Sequence, residues 1–300
     1  MVATDLTYRA SEVEPFRWEG LDFFVKRDDL IDPRFSGNKL RKLYSLFKLP
    51  DHTLKRVVSY GGAQSNAMLS IAYLAAMKGW EFVYYAKKLP KWLERDPSGN
   101  LKRALELGMV LHQLEPRNFY EEIESVRKES GADELFVPQG GADPAAREGV
   151  ELLASEILEW ARHSGYERFS VATPSGTGTT ALYLREALPE RVEVLTTPVV
   201  GDEETLFAQW RRLEPDAASL PKILFSFGKH PFAKPHPQFL KIWESLKGSG
   251  IEFDLVYAPK MWLELKTAYG RLPKPVVYVH SGGVSGNVSQ LRQYSYRGIK

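Results

Sequence analysis

Short apolar runs alternate with longer segments of helical period along this 300-residue chain, and this alternation limits its fold more than any other feature. It predicts an α/β protein with largely parallel sheets and helices on both faces, because each helix returns the chain to start the next strand. The predicted strands are 23–26, 56–59, 81–86, 110–114, 134–137, 168–172, 192–195, 222–225 and 276–279. The predicted helices include 38–47, 66–78, 101–107, 119–130, 144–163 and 179–188.

Length and joint residues predict two domains. A domain commonly has roughly 150 residues, so 300 residues favour two. Joints that contain proline or glycine fall at Leu49-Pro50-Asp51 and at Ser164-Gly165. We therefore expect residues 49–164 to form a small inserted α/β domain, and residues 1–48 with 165–300 to form the large domain.

Composition argues against several classes of function. The 40 Lys and Arg against 38 Asp and Glu leave a net charge of only +2, which argues against a large basic surface for nucleic acid. The absence of cysteine excludes disulfides, thiolate metal sites and a cysteine nucleophile. The first residues carry acids and no apolar core, and the longest uncharged stretch, which includes residues 59–77, is too polar to cross a bilayer. We expect a cytoplasmic protein with no metal, nucleic-acid or membrane partner.

The first of three glycine-bearing turns, residues 59–66, precedes a predicted helix. Small and amide residues at a helix start leave backbone N–H groups free to bind a carboxylate or another anion. The alternative is an ordinary tight turn in which Ser or Asn caps the helix.

The second turn, residues 173–180, joins a predicted strand to a helix rich in Ala and Leu. Its two glycines allow a ligand close to the backbone, its hydroxyls can bind phosphate oxygens, and the helix dipole favours negative charge there. No Gly-Lys-Ser/Thr ends it, and no acidic residue follows at the spacing of a dinucleotide site, so both nucleotide classes are disfavoured. The turn predicts a phosphate site, with a plain strand–turn–helix joint as the alternative.

The third turn, residues 280–287, follows the last predicted strand. Gly282 and Gly283 let a planar ligand approach the chain, and Ser281 offers a hydroxyl beyond the carboxyl end of a strand, where α/β sheets place ligands. We interpret His280 as a packed structural residue.

Lysines near the N-terminus are candidates for covalent chemistry. Lys39 and Lys42 lie in the first turns of a predicted helix, where the helix dipole and burial both lower a lysine pKa. A lowered pKa is what a Schiff-base lysine requires. The alternative is a solvated basic face that includes Arg41, and the spacing gives no reason to prefer Lys39 over Lys42.

Five segments in this order resemble the pyridoxal-phosphate enzymes grouped as 1-aminocyclopropane-1-carboxylate deaminase and D-cysteine desulfhydrase. They are Arg27-Asp28-Asp29, Ser36-Gly37-Asn38-Lys39-Leu40-Arg41-Lys42-Leu43, Gly61-Gly62-Ala63-Gln64-Ser65-Asn66, Ser175-Gly176-Thr177-Gly178-Thr179-Thr180 and His280-Ser281-Gly282-Gly283. The resemblance implies the tryptophan-synthase-β-like fold (fold type II), pyridoxal 5'-phosphate in the cleft between the two domains, and a homodimer. It also implies elimination and deamination of a small amino acid, with D-cysteine as the first candidate substrate and 1-aminocyclopropane-1-carboxylate as the second.

The same resemblance implies roles for individual residues. Lys39 would form the Schiff base and move the Cα proton, and Ser281 would bond the pyridine nitrogen. Asn66 would bond the phenolic oxygen of the cofactor. The residues implied for the substrate carboxylate are Gln64, Ser65 and Asn66, with Ser65 also a candidate for catalysis. The residues implied for the phosphate are Ser175, Gly176, Thr177, Gly178 and Thr179.

Two positions depart from the pattern of the family. Tyr257 matches one of the two tyrosine-bearing elements, whereas the other tyrosine falls at Phe232, and Ala258 stands where a polar residue is common. Opening a cyclopropane ring needs an acid or nucleophile beyond the lysine, so these departures disfavour that reaction. A cofactor-binding protein with little catalysis, or one with a different small amino-acid substrate, is therefore an alternative. A nucleotide-binding α/β protein that uses residues 175–180 is another.

Overall fold

The computed structural model describes residues 8–299, which form two sheets with helices around them. The strands are β1 Val13–Trp18, β2 Leu21–Lys26, β3 Arg56–Gly61, β4 Glu81–Lys87, β5 Val110–Leu114, β6 Glu134–Val137, β7 Phe169–Ser175, β8 Val192–Pro198, β9 Lys222–Ile223 and β10 Val276–Val279. The helices are α1 Lys39–Lys42, α2 Tyr44–Phe47, α3 Asn66–Lys78, α4 Lys91–Arg95, α5 Gly99–Glu106, α6 Phe119–Glu129, α7 Ala146–His163, α8 Thr179–Ala187, α9 Glu203–Leu213, α10 Pro237–Gly248, α11 Ala258–Ala268 and α12 Asn287–Tyr296.

Both sheets are parallel apart from one edge pair, as the alternation predicts. The larger sheet has the order β1-β2-β10-β7-β8-β9, in which only β1 and β2 are antiparallel. The smaller sheet has the order β5-β4-β3-β6 and is parallel throughout. Every residue of β7 and β10 is buried, as expected for parallel strands that are covered on both faces.

Strand β1 is absent from the predicted set. Pro15 and two charged residues, Glu14 and Arg17, interrupt its apolar pattern, but Phe16 and Trp18 alternate toward the core. Proline is tolerated because β1 lies at the edge of the larger sheet, where one side of the strand needs no ladder hydrogen bonds.

Helices cover both faces of the larger sheet. Val171 on β7 packs in one core cluster with α7 and α8, whereas its neighbour Ala172 packs in another cluster with α11. Successive residues of a strand point to opposite faces, so this alternation places the two helical layers on opposite sides. The predicted α/β class, with parallel-rich sheets and helices on both faces, is confirmed.

Helix α7, at the end of the predicted inserted segment 49–164, packs against the larger sheet. Val150, Leu153 and Ile157 of α7 share a core cluster with Phe169 and Val171 of β7, so this helix covers the larger sheet. The smaller sheet contains only strands from residues 56–137. The division into two domains, with residues 49–164 as the inserted one, stays a prediction.

Three strand ends meet at the cleft between the sheets. β3, β7 and β10 each lead from their carboxyl end into a glycine-bearing turn. The loop before α1 crosses the end of β10, because the N–H of Asn38 donates to the carbonyl of Ser281 at 3.2 Å. Gly37 is required at this crossing, since a Cβ there would lie 2.2 Å from the Ser281 oxygen. No helix among residues 8–299 is long and apolar enough to span a membrane.

Candidate active site

The amino end of α8 is built without a side-chain cap. Gly178 occupies the N-cap with a left-handed φ of 72°, and its carbonyl accepts a hydrogen bond from Trp210 Nε1 at 3.0 Å. A Cβ at this position would lie 2.4 Å from the same nitrogen, so only glycine fits. The first N–H groups of α8 are therefore free to bind a ligand, and the helix dipole favours an anion.

Lys42 extends into this amino end. Its Nζ donates to Thr177 Oγ1 at 3.2 Å and to the carbonyl of Gly140 at 3.1 Å, and Thr177 lies 3.0 Å from Thr179 Oγ1. Only 8% of Lys42 is exposed, and no carboxylate of residues 8–299 pairs with it. Burial, together with the charge of Lys39, holds the pKa of Lys42 well below its usual range. An anion bound here would stabilise the lysine in its charged form.

Lys39 has different hydrogen-bond partners from Lys42. Its Nζ donates to Asn38 Oδ1 at 3.3 Å, and Asn38 in turn donates from Nδ2 to Thr180 Oγ1 at 3.2 Å. Burial lowers the pKa of Lys39 to about 8, although the charge of Asp254 opposes the change. A group with this pKa is substantially neutral at mildly alkaline pH and can then act as a nucleophile or a base.

The interpretation of Lys39, Arg41 and Lys42 as a solvated basic face is wrong. Arg41 is fully buried, and its guanidinium lies 2.8 Å from Asp28 Oδ1 and 2.8 Å from Glu156 Oε2. The helix predicted over 38–47 also breaks at Leu43 into α1 and α2. The three basic residues therefore have three separate environments.

The turn before α3 uses its polar side chains within the protein. Ser65 is the N-cap, and its Oγ accepts from the N–H of Met68 at 3.3 Å, so the capping alternative describes this turn. Gln64 donates to the Ser98 carbonyl at 2.9 Å and accepts from the Asn100 N–H at 2.9 Å. The amide of Gln64 is thus occupied by Ser98 and by the first turn of α5, while Asn66 lies at the first turn of α3.

Ser281 lies near one end of the cleft, and its Oγ accepts from Thr173 Oγ1 at 3.3 Å. Beside it, Gly282 packs on the buried Asp254, whose Oδ1 accepts from the N–H groups of Val256 at 3.0 Å and Tyr257 at 2.6 Å. Asp254 Oδ2 is buried without a hydrogen-bond partner among the described residues.

His280 is a packed residue, as interpreted from the sequence. Its ring stacks on Phe253 with 4.6 Å between centroids, and Nε2 lies 2.9 Å from the Glu252 carbonyl. It is 1% exposed.

Tyr257 packs over Gly176 in the turn after β7. Burial, aided by the charge of Asp254, raises the pKa of the Tyr257 phenol far above its usual range, so the phenol stays protonated at neutral pH. The ring of Phe232 lies 5.7 Å from that of Tyr257 and brings no second hydroxyl. Ala258 is buried at the start of α11 and adds no polar side-chain group.

The structure does not bring every predicted side chain to the cleft. The hydroxyl of Ser175 lies 2.7 Å from Thr196 Oγ1 inside the larger sheet, so only the backbone of Ser175 borders the turn. Sequence reasoning also missed the turn at Gln139–Gly141, whose glycines pack on Thr177 and Lys42. The signal for this turn was present, because Gly140 and Gly141 follow a predicted strand.

No protein-family model matches the chain. It is 26% identical to a Thermotoga maritima protein that is provisionally named a 1-aminocyclopropane-1-carboxylate deaminase, over 91% of this chain and 92% of that protein. It is 25% identical to a Serratia proteamaculans protein named D-cysteine desulfhydrase, over 88% of this chain and 87% of that one.

A solved structure titled as a homologue of 1-aminocyclopropane-1-carboxylate deaminase superposes with a TM-score of 0.76. It is 21% identical and covers 96% of this chain and 95% of its own. The chain therefore has the fold of the pyridoxal-phosphate enzymes of fold type II.

Proposed function

We propose that this chain is a pyridoxal-phosphate-dependent lyase that converts a small amino acid to a 2-oxoacid and ammonia. D-Cysteine is the first candidate substrate and 1-aminocyclopropane-1-carboxylate is the second. The observation that carries the proposal is the separation of two lysines, with Lys42 at the amino end of α8 and Lys39 beside Asn38. The similarity to relatives named for these two activities supports it.

The amino end of α8 fits the phosphate of this cofactor. Lys42 is a buried amine without a carboxylate partner in residues 8–299, and a phosphate would provide the negative charge that stabilises its protonated form. The hydroxyls of Thr177 and Thr179 and the N–H groups at the start of α8 add donors. The residues we assign to phosphate binding are Lys42, Gly176, Thr177, Gly178 and Thr179, together with the backbone of Ser175.

The opposite end of the cleft would hold the aromatic ring. Ser281 would bond the pyridine nitrogen, and a hydroxyl there leaves that nitrogen mostly neutral. Asn66 would donate to the phenolic oxygen. Pyridoxal phosphate, when bound, supplies a conjugated ring that withdraws electrons from the bonds at the amino-acid Cα. A neutral ring favours elimination, because the leaving group removes the developing negative charge.

Lys39 would carry the cofactor covalently and would move the proton at the substrate Cα through its Nζ. With a pKa of about 8, a useful fraction of this amine is neutral near physiological pH. Ser65 stands at the start of α3, where it would contact the substrate carboxylate together with Asn66. Gln64 would support this contact through the backbone of its turn, since its amide is already bonded elsewhere.

Tyr257 would donate a hydrogen bond to the leaving group, because its raised pKa keeps the phenol protonated. One hydrogen-bond donor is enough to support release of a thiolate, whereas ring opening needs a further acid or nucleophile that Phe232 does not provide. The site therefore favours carbon–sulfur cleavage. One cysteine and one water would give one pyruvate, one ammonia and one hydrogen sulfide.

The test is a panel of D- and L-amino acids, including 1-aminocyclopropane-1-carboxylate, added to the cofactor-loaded protein. Visible absorbance, pyruvate, 2-oxobutyrate and sulfide are recorded together. The proposal predicts equal amounts of pyruvate and sulfide from D-cysteine. Binding of the cofactor without turnover of any amino acid would contradict it. That result would favour a binding protein with little catalysis, an alternative that rests on the absence of a hydroxyl at Phe232 and of a polar side chain at Ala258.

We also propose that the active form is a homodimer in the cytoplasm, on the basis of the resemblance to the deaminase and desulfhydrase group. Light scattering on the cofactor-loaded protein should give twice the mass of the 34.0 kDa chain. A monomer with full activity would contradict the homodimer.

A further inference from the structure

Asn100 contacts the turn before α3 and the segment before α12, although it bears none of the roles above. It lies near the start of α5 and is only 2% exposed. Its Nδ2 donates to the carbonyl of Gln64 at 3.0 Å and to Oδ1 of Asn66 at 2.9 Å. Its Oδ1 accepts from Ser285 Oγ at 3.1 Å. Both polar atoms of the Asn100 side chain are therefore occupied.

These partners fix which way the Asn66 amide faces. A backbone carbonyl can only accept, so the Gln64 carbonyl requires the nitrogen of Asn100 to point toward it. The same nitrogen meets the side chain of Asn66, which must therefore present its oxygen. The Nδ2 of Asn66 is left on the other side, and no acceptor among residues 8–299 bonds to it.

The same network reaches the loop that carries Lys39. Ser285 lies 3.1 Å from Ser36 Oγ, and Ser36 is three residues before Lys39. The N–H of Ser36 donates to Ser70 Oγ at 3.1 Å, and Ser70 donates to the Asn66 carbonyl at 2.9 Å. Two chains of hydrogen bonds therefore join Asn66 to Ser36 in the loop that carries Lys39. One starts at the Asn66 side chain and the other at its carbonyl.

We infer that Asn100 is a positioning residue, which holds Asn66 so that its Nδ2 faces the cleft as a hydrogen-bond donor. The inference rests on the proposed function, in which Asn66 donates to the phenolic oxygen of pyridoxal phosphate. Without Asn100, the Asn66 amide could rotate by half a turn and present an acceptor to an oxygen that itself accepts.

A double-mutant cycle tests this coupling in the full-length protein stripped of cofactor. The dissociation constant for pyridoxal phosphate is measured by absorbance titration for wild type, Asn66→Ala, Asn100→Ala and the double variant. We expect each single variant to bind about tenfold more weakly, the effect of one hydrogen bond to a charged group. The double variant should bind no more weakly than Asn66→Ala, because Asn100 acts only through Asn66.

Asn100→Asp separates positioning from space filling. It keeps the volume and the acceptor for Ser285 but replaces the Nδ2 donor with a carboxylate oxygen. Asn66 should then turn its Nδ2 toward Asp, which predicts affinity at least as weak as in Asn100→Ala and a displaced visible absorbance maximum. Asn118→Asp, the same substitution at an exposed asparagine, is the matched control and should change neither quantity.

Thermal unfolding of each stripped variant verifies that it is folded. Two results would overturn this inference but not the proposed function. One is a loss of affinity in the double variant equal to the product of the two single losses, and the other is wild-type affinity and spectrum in Asn100→Asp. A wild-type chain that binds no pyridoxal phosphate would overturn the proposed function and this inference with it.

Discussion

Two joints in this protein follow one plan but end differently. β3 leads through a glycine turn into α3, and β7 leads through a glycine turn into α8. At α3 the N-cap is Ser65, whose hydroxyl accepts from the N–H of Met68. At α8 the N-cap is Gly178, which has no side chain to offer. Both joints have a glycine-bearing turn, but their N-cap residues differ. At the α3 joint, which we call closed, the N-cap side chain bonds to a helix N–H group. At the α8 joint, which we call open, no N-cap side chain does so.

The difference teaches where the charge of a ligand belongs. Lys42 reaches the open joint at α8 and has no carboxylate partner among the described residues. The closed joint at α3 supplies neutral hydrogen-bonding groups, from Ser65 and Asn66. A ligand that carries a phosphate at one end would therefore place that end at α8, and its less charged groups near α3.

Replacing the glycine at the open joint should have the largest effect. Gly178→Ala forces a side chain into a left-handed backbone and against Trp210, so we expect a loss of about 2–5 kcal/mol in the free energy of unfolding. Urea denaturation of the stripped protein measures it. Gly228→Ala is the control, since Gly228 is also left-handed but has open space around its Cβ position. Equal losses in the two variants would show that the contact with Trp210 has no importance.

Removing the cation at the open joint should change binding and stability in opposite directions. Lys42→Met keeps the length of the side chain but removes its charge, so affinity for pyridoxal phosphate should fall about 10- to 100-fold, the effect of one charge-assisted hydrogen bond. The stripped protein should melt at a higher temperature, because the lowered pKa of Lys42 means that folding disfavours the charge that this amine carries in the unfolded chain. Titration and thermal unfolding measure the two effects, and unchanged affinity would remove Lys42 from the anion site.

Removing the cap at the closed joint should cost less. Ser65→Ala should lower the free energy of unfolding by about 1 kcal/mol, and Ser65→Gly by only a few tenths, because glycine is an acceptable N-cap. Denaturation measures both. Because Ser65→Gly should be nearly as stable as the wild type, its turnover rate tests the predicted catalytic role separately. A wild-type rate in this variant would mean that Ser65 acts only as a helix cap.

The smallest expected effect is a change in how acetylation of Lys39, in the cleft between the two joints, depends on pH. Below about pH 8 this amine is protonated and unreactive, so acetylation of the stripped protein should increase through a midpoint of about 8. Asp254→Asn removes a negative charge that raises the pKa of Lys39, so the midpoint should fall. Peptide mass spectrometry at several pH values measures it, with exposed Lys241 as an internal control. A midpoint of about 10.4, the usual value for a solvated lysine, would refute the burial of Lys39.

Most helices and strands could be predicted from the sequence, because the periodicity of hydrophobic residues is a local property. The strand predicted at 110–114 and the helix at 66–78 occur with those bounds. Strand β1 was missed because proline and charges obscured a pattern that an edge strand tolerates.

The choice between Lys39 and Lys42 could not be made from sequence. They are three residues apart on one helix and so share a face. Their environments differ because Lys42 alone bonds to the turn at Gln139–Gly141 and to Thr177, which are distant in the sequence. Asn100 was invisible for the same reason, because its partners Gln64 and Ser285 lie far from it in the chain.

The central claim is that Lys39 carries the cofactor while Lys42 binds its phosphate. Borohydride reduction of the cofactor-loaded protein fixes the cofactor to the lysine that holds it, and peptide mass spectrometry then locates that lysine. The account predicts the added mass on Lys39 alone. Added mass on Lys42, or on no lysine, would contradict it.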